Sequence, residues 1–382
     1  MSEYQYYEFQ AVDRPLNARE MDELRALSTR AAITSTRLVN TYNYGNFRGN
    51  PAALMETYFD AFVYVANWGT REFMLRLPRR LFALETANLY CVGELARAHA
   101  AGDHVIVEFR SEDEPEDDED GDDWMPALLP LRAELAAGDV RSLYLGWLTC
   151  AQDGLLDDEE PEPPPPPGLS ELSASLQALA DFLRLGDDLI AVAAEGSALL
   201  KENTASRDAL GRWVAGLAAA EKDALLLRLV ADGEPHLRAE LRQRFRREVT
   251  TARHGEGVDE TPRRTVGELL AAAERRTARR QRAEAERAAR EWERQEREQA
   301  AARARYLDGL AGHEADLWGQ VDALIATKRP AEYDRAVGLL TDLRDLHSRA
   351  GRAPEFEARR DRPRDEQARK PSQLQRFDPA GV

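Results

Sequence analysis

Chemistry needs side chains that titrate, coordinate or attack, at spacings that let them converge. The six histidines, at 99, 104, 236, 254, 313 and 347, have neither the HxH nor the HExxH spacing of a metal site. Cys91 and Cys150 form no CxxC or CxC pair, which excludes a cysteine-rich zinc site and a disulfide framework. Two reduced thiols behaving as small core residues are expected. No GxSxG, glycine-rich phosphate loop or Cys–His signature is present. Lysine occurs only at 201, 222, 328 and 370, so a Schiff-base or P-loop lysine has few candidates. The acidic run Glu112–Asp123 fails as a calcium loop. With Gly121 in the sixth place, Ala127 stands where a bidentate glutamate belongs. No catalytic residue, metal ligand or cofactor is assigned, and a non-enzymatic chain is expected.

Two stretches suit recognition instead. Asn40 to Asn50 mixes turn-forming Asn and Gly with Tyr42, Tyr44, Phe47 and Arg48, and Trp68 to Arg71 is of the same kind. Tyr42, Tyr44, Phe47, Arg48, Trp68 and Arg71 therefore form a candidate contact surface for a peptide or a stacked base. The competing reading is a strand-to-helix loop whose aromatics enter the core. A second candidate is the basic patch Arg238, Arg242, Arg244, Arg246 and Arg247, which suits a phosphate backbone or forms a solvated helix face.

The elements that position these residues fall into two compositional halves. Of the 22 Tyr and Phe residues, 16 precede Gly168, and the remainder of the chain is rich in Ala, Leu, Arg and Glu. Between the halves lies Asp157 to Glu162 followed by five prolines, Pro163 to Pro167, which reads as a stiff polyproline spacer. The net charge of −17 is local: residues 111–168 carry −16, and the rest is nearly balanced. The acidic loop reads as a solvated segment or as a contact for a basic partner.

Residues 1–156 read as an α+β domain. Tyr4–Val12, Ser35–Asn43, Glu72–Leu77 and Val105–Arg110 are expected strands. Asn17 with Glu20 makes a capping-box start for one helix, and Asn50-Pro51 starts another carrying Leu54, Met55, Tyr58, Phe59 and Phe62. Trp124 to Cys150 supplies two further amphipathic helices. After the linker, 157–168, the reading is all-α. A helical bundle spans 169–255, and a long Ala/Arg/Glu helix spans 262–311. A helical hairpin then covers 312–352, and 353–382 is a polar tail broken by Pro363, Pro371 and Pro379. The long helix has i,i+4 pairs such as Glu286–Arg290 but lacks large apolar a and d positions, which favours an isolated spacer over a strong coiled coil.

Tyr4-Gln-Tyr-Tyr-Glu-Phe-Gln10, Tyr64-Val-Ala-Asn-Trp-Gly-Thr70 and Leu143-Tyr-Leu-Gly-Trp-Leu148 resemble a family of uncharacterised bacterial proteins, a resemblance that implies no activity. The last ~55 residues, with Tyr333-Asp-Arg-Ala-Val337, Asp342-Leu-Arg-Asp-Leu346 and Ala368-Arg-Lys-Pro-Ser372, are similar to the C-terminal end of bacterial SWIM zinc-finger proteins. The CxC…CxH zinc motif of those proteins is absent here, so the similarity implies a helical docking module and neither zinc nor DNA binding. The N-terminus lacks a secretory pattern and no apolar run approaches the ~20 residues of a membrane span. A cytoplasmic adaptor or scaffold with separate N-terminal and helical modules for protein partners is expected. The alternative is a nucleic-acid-associated protein that binds phosphates through its Arg-rich helices.

Overall fold

A computed structural model describes residues 4–112, 121–200, 207–231, 236–251, 263–327 and 329–367. The chain forms two compact units, Met1–Arg280 and Gln281–Val382.

The first unit is built on one antiparallel sheet. Its strands are β1 (Gln5–Gln10), β2 (Ala32–Ile33), β3 (Arg37–Tyr42), β4 (Ala61–Ala66), β5 (Thr70–Pro78), β6 (Ala96–Ala101) and β7 (His104–Glu112), in the order β2-β3-β1-β4-β5-β7-β6. Strand alternation sends successive side chains to opposite faces, and both faces are apolar. On one face Phe9, Leu38, Phe62 and Met74 pack under α1 (Ala18–Leu27) and α2 (Pro51–Thr57), which contribute Leu24, Leu54 and Met55. On the other, Val63, Phe73, Leu75, Val107 and Phe109 meet a thick helical layer. That layer comprises α3 (Leu84–Ala87), α4 (Trp124–Leu128), α5 (Pro130–Ala136), α6 (Arg141–Gln152), α7 (Ala174–Phe182) and α8 (Asp187–Glu195). Gly146 lets α6 lie close to the sheet, because a Cβ there would stand 2.7 Å from the Phe109 ring and 3.0 Å from Ala96 Cβ. The Asn17–Glu20 capping box forms as expected.

The strand and helix assignments differ from expectation at three places. Phe62 lies on β4, not on the helix of Leu54 and Met55, because α2 stops at Thr57 and the chain turns into the sheet at Asp60. β6, Ala-Arg-Ala-His-Ala-Ala, has little intrinsic strand preference and exists because it completes the β7 edge. Trp124 to Gln152 contains three helices rather than two.

The proline run is not a free-standing spacer. Glu162, Pro163, Pro166 and Leu169 are buried, and α7 and α8 beyond it belong to the first unit's core through Leu176, Leu179, Phe182 and Leu189. The boundary expected at 157–168 is therefore displaced to about Arg280. The physical reason lies in the backbone: proline has no N–H to strand in a dry interface, and only its carbonyls need partners. Tyr90 Oη donates to Pro164 O at 3.0 Å, and Ser197 Oγ donates to Pro166 O at 2.6 Å. Glu162 N donates to Arg264 O at 2.8 Å and Val266 N to Glu160 O at 3.0 Å, so the strap pairs with the chain entering the long helix.

Helices α9 (Arg207–Gly216), α10 (Ala219–Val230) and α11 (Leu237–Thr251) complete the expected helical stretch. Of these, α11 is seated on the first unit by Ala239 and by Gln243 Nε2, which donates to Leu81 O at 2.8 Å. The long helix α12 runs from Val266 to Leu310. A reciprocal Thr265–Glu268 capping box starts it, and Val266, Leu269 and Ala273 bury its first turns in the first unit. Residues 281–302 are exposed on every face, Trp292 included at 61%.

The second unit has its own core. The end of α12 joins α13 (Glu314–Ala326), α14 (Pro330–Arg349) and α15 (Ala353–Gln367) around Leu307, Trp318, Val321, Leu340, Leu343 and Phe356. The expected hairpin at 312–352 is present and is closed by neighbours of its own chain. Residues 353–367, expected as a polar tail, form α15, which turns the Phe356 ring onto Trp318 and His347. A buried ring helps dock an otherwise charged helix when a ring-lined pocket awaits it, and Arg359 adds to the contact from over the Trp318 ring at 4.9 Å. Residues 368–382 lie outside the described residues.

Candidate functional site

The densest convergence of buried charge lies where β1 ends. Asp60, 1% exposed, accepts the backbone N–H groups of Val12 at 2.7 Å and Asp13 at 2.9 Å, and Arg76 Nη2 at 2.9 Å. Arg132 on α5 donates Nε to Arg76 O at 2.8 Å and Nη2 to Asp13 Oδ2 at 2.7 Å. His236, just ahead of α11, places Nε2 2.7 Å from Asp13 Oδ1, and neither atom has a hydrogen-bond partner of regular geometry. Burial would push the Asp13 carboxyl up, but His236 and Arg132 together outweigh it and hold it at about 2. His104, on the neighbouring strand end, is held below its ordinary value by burial and by Arg76. Five stretches of chain thus meet in one ionic network.

In front of this network opens a groove of about 610 Å³. Its walls are apolar, from Leu129, Pro130, Ala133, Ala136 and Ala239, and Asp13, Arg132 and His236 form its charged end. Arg238 and Arg242, one helical turn apart on α11, stand exposed at the rim and have no ion pair among the described residues. Among the described residues no Ser, Thr, Cys or Lys lines the groove. Its composition suits binding. An anionic group meets guanidinium donors, and an adjoining apolar group meets the walls.

The expected basic patch is divided by the structure. Arg238 and Arg242 face the groove, whereas Arg244 is taken up by Glu221, by Glu248 and by the Trp213 ring 5.8 Å away. Arg246 and Arg247 lie on α11, with side chains outside those described. Sequence spacing found two groove residues but not Asp13, Arg132 or His236. Only the proximity of chain segments far apart in sequence reveals those.

The six residues expected to form one recognition surface do not converge. Tyr42 is buried, its Oη accepting from Asn40 Nδ2 at 2.8 Å, and Phe47 packs on Tyr7 at 5.2 Å between centroids. Both serve the α1–α2 side of the sheet. Arg71 points to the other face, where it donates to Asp181 O at 3.0 Å and Phe182 O at 3.1 Å and lies over Trp124 at 5.3 Å. Tyr44, Arg48 and Trp68 are exposed, the first two on the β3–α2 loop and the last in the β4–β5 turn. The competing reading, in which the loop's aromatics enter the core, describes Tyr42 and Phe47.

A second polar feature crosses the sheet in register: Asn40, Tyr7, Tyr64, Glu72 and Arg110 are successive cross-strand partners. Tyr7 and Tyr64 stack at 4.7 Å, and both donate to Gln5 Oε1, at 2.7 and 3.2 Å. Beside them, burial first and Glu108 second push the Glu72 carboxyl up to about 7, against a smaller opposing pull from Arg110. The folded state therefore binds this proton more tightly than the unfolded chain does. The associated stability is complete below about 4.5 and is lost as the pH rises through about 7. Glu72→Gln removes that loss. The substitution is expected to stabilise the protein at pH 8 on the order of 2 kcal/mol and to change little at pH 4. Urea titrations of both proteins at the two pH values check this, and an equal effect at both would refute it.

Among the described residues no group of three or more metal-ligating side chains converges, and no helix is long and apolar enough to cross a membrane. Burial pushes the Cys91 thiol up to about 12 and also raises Cys150, so both are poor nucleophiles. Comparison with protein-family models, curated proteins and solved structures finds no match to this chain.

Proposed function

We propose that the protein is an adaptor that holds different protein partners through its two units. The observation that carries this reading is the construction of α12. Its first turns are buried in one core and its last in another, while residues 281–302 between them are exposed. That stretch is stabilised from within, by pairs such as Arg290–Glu286 and Arg297–Glu293. A helical stretch that gives no face to either core serves as a connector. The groove's guanidinium donors and apolar walls are consistent with a binding role.

The test is a tagged pull-down of the full chain at low salt, with and without nuclease, repeated with Phe356→Ala. The expected result is protein partners that survive nuclease, one set of which disappears with the variant while the other stays. Partners lost on nuclease treatment would favour binding to nucleic acid through Arg-rich helices. A chain that co-purifies alone would end the adaptor reading.

A further inference from the structure

We propose that the groove between α5 and α11 is the docking site on the first unit for a short acidic–apolar peptide of a partner protein. The inference rests on the adaptor reading and specifies the chemistry of one of its partners. Arg238 and Arg242 repeat at i,i+4 on one face of α11, exposed and without ion pairs among the described residues. In this chain most other arginines that are described have a carboxylate or a ring within reach, including Arg244 on the same helix. Two guanidiniums with no ion pair among the described residues, over an apolar trough, form a complementary surface for carboxylates spaced along a peptide, with apolar side chains between them. Asp13 does not cancel this field, since Arg132 already pairs with it.

The volume of about 610 Å³ matches a few side chains and is too small for a folded surface. Among the described residues no Phe, Tyr or Trp lines the groove, so it lacks the run of large rings on which a single-stranded nucleic acid stacks. The described flanks of the acidic stretch lie at the other end of β1, where Glu112 pairs with Thr70 and Gly121 N meets Tyr4 Oη, some ~20 Å of strand away from Asp13.

Fluorescence anisotropy of the full chain with a dye-labelled peptide of alternating glutamate and leucine tests the proposal. Saturable binding that weakens as salt rises is expected. Arg238→Glu with Arg242→Glu is expected to weaken it more than about tenfold, and so is glutamine for glutamate in the peptide. Ala133→Trp, which fills the trough without changing its charge, is expected to have a similar effect. All three positions are exposed, so the fold is kept. The proposal is overturned if the labelled peptide does not bind, if the glutamine peptide binds equally, if either variant binds like the parent, or if a single-stranded oligonucleotide competes for the groove more tightly. The adaptor reading survives such a failure if the pulled-down partners of the full chain persist in the Arg238→Glu, Arg242→Glu protein.

Discussion

Arg264→Met is expected to destabilise the first unit by about 3–5 kcal/mol, the cost of leaving a buried charge without its partner. The charge is Glu162, 2% exposed. It receives Arg264 Nε at 2.8 Å and Nη2 at 2.9 Å, and Tyr144 Oη. Arg264 Nη1 also donates to Val192 O at 2.8 Å, tying in the end of α8. The substitution therefore unpairs a carboxylate beneath the proline strap and loosens the strap, α8 and the entry to α12 together. Glu162→Gln added to Arg264→Met is expected to recover part of the loss, because an amide costs less to bury unpaired than a carboxylate. Urea unfolding followed by a probe in the first unit measures both. A loss below about 1 kcal/mol, or no recovery in the double variant, would show that the pair does not anchor the strap.

Phe356→Ala is expected to remove about 3–5 kcal/mol from the second unit, the usual range for deleting a buried ring. Phe356 is 3% exposed, with its centroid 5.8 Å from Trp318 and 6.0 Å from His347. It is the buried apolar contact of α15, and the core it joins is small. A unit of this size retains little stability beyond such a sum. The first unit has a core of its own and is expected to keep its stability. Hydrogen exchange resolves the two: protection of α13 and α14 should fall while that of β4 and β5 is unchanged. Unaltered protection in α13 would mean that 353–367 is the dispensable tail its composition suggests.

That second prediction illustrates how composition misleads. The residues 353–367 average as polar, yet a single ring decides that they dock. The same holds for the proline run. Fixed φ and missing donors made it extended in either reading, but only the tertiary structure provided Tyr90, Ser197 and Arg264 to hold it down. β6 was unreadable for the related reason that an edge strand of alanines is stabilised by its neighbour and not by itself. The candidate groove was half legible. Arg238 and Arg242 are visible as an i,i+4 pair, whereas Asp13, Arg132 and His236 are separated by more than a hundred residues each.

What the sequence determined by itself was local: capping boxes at Asn17 and Thr265, the alternation of β1 and β3, and the uninterrupted helix of α12. Each depends on interactions spanning four residues or fewer, so residue order alone suffices. What only the tertiary structure decided was membership: which helices share a core, which charges lie buried together, and which arginines meet a carboxylate. Those outcomes depend on long-range pairings whose energies appear only once the sheet has brought distant segments together.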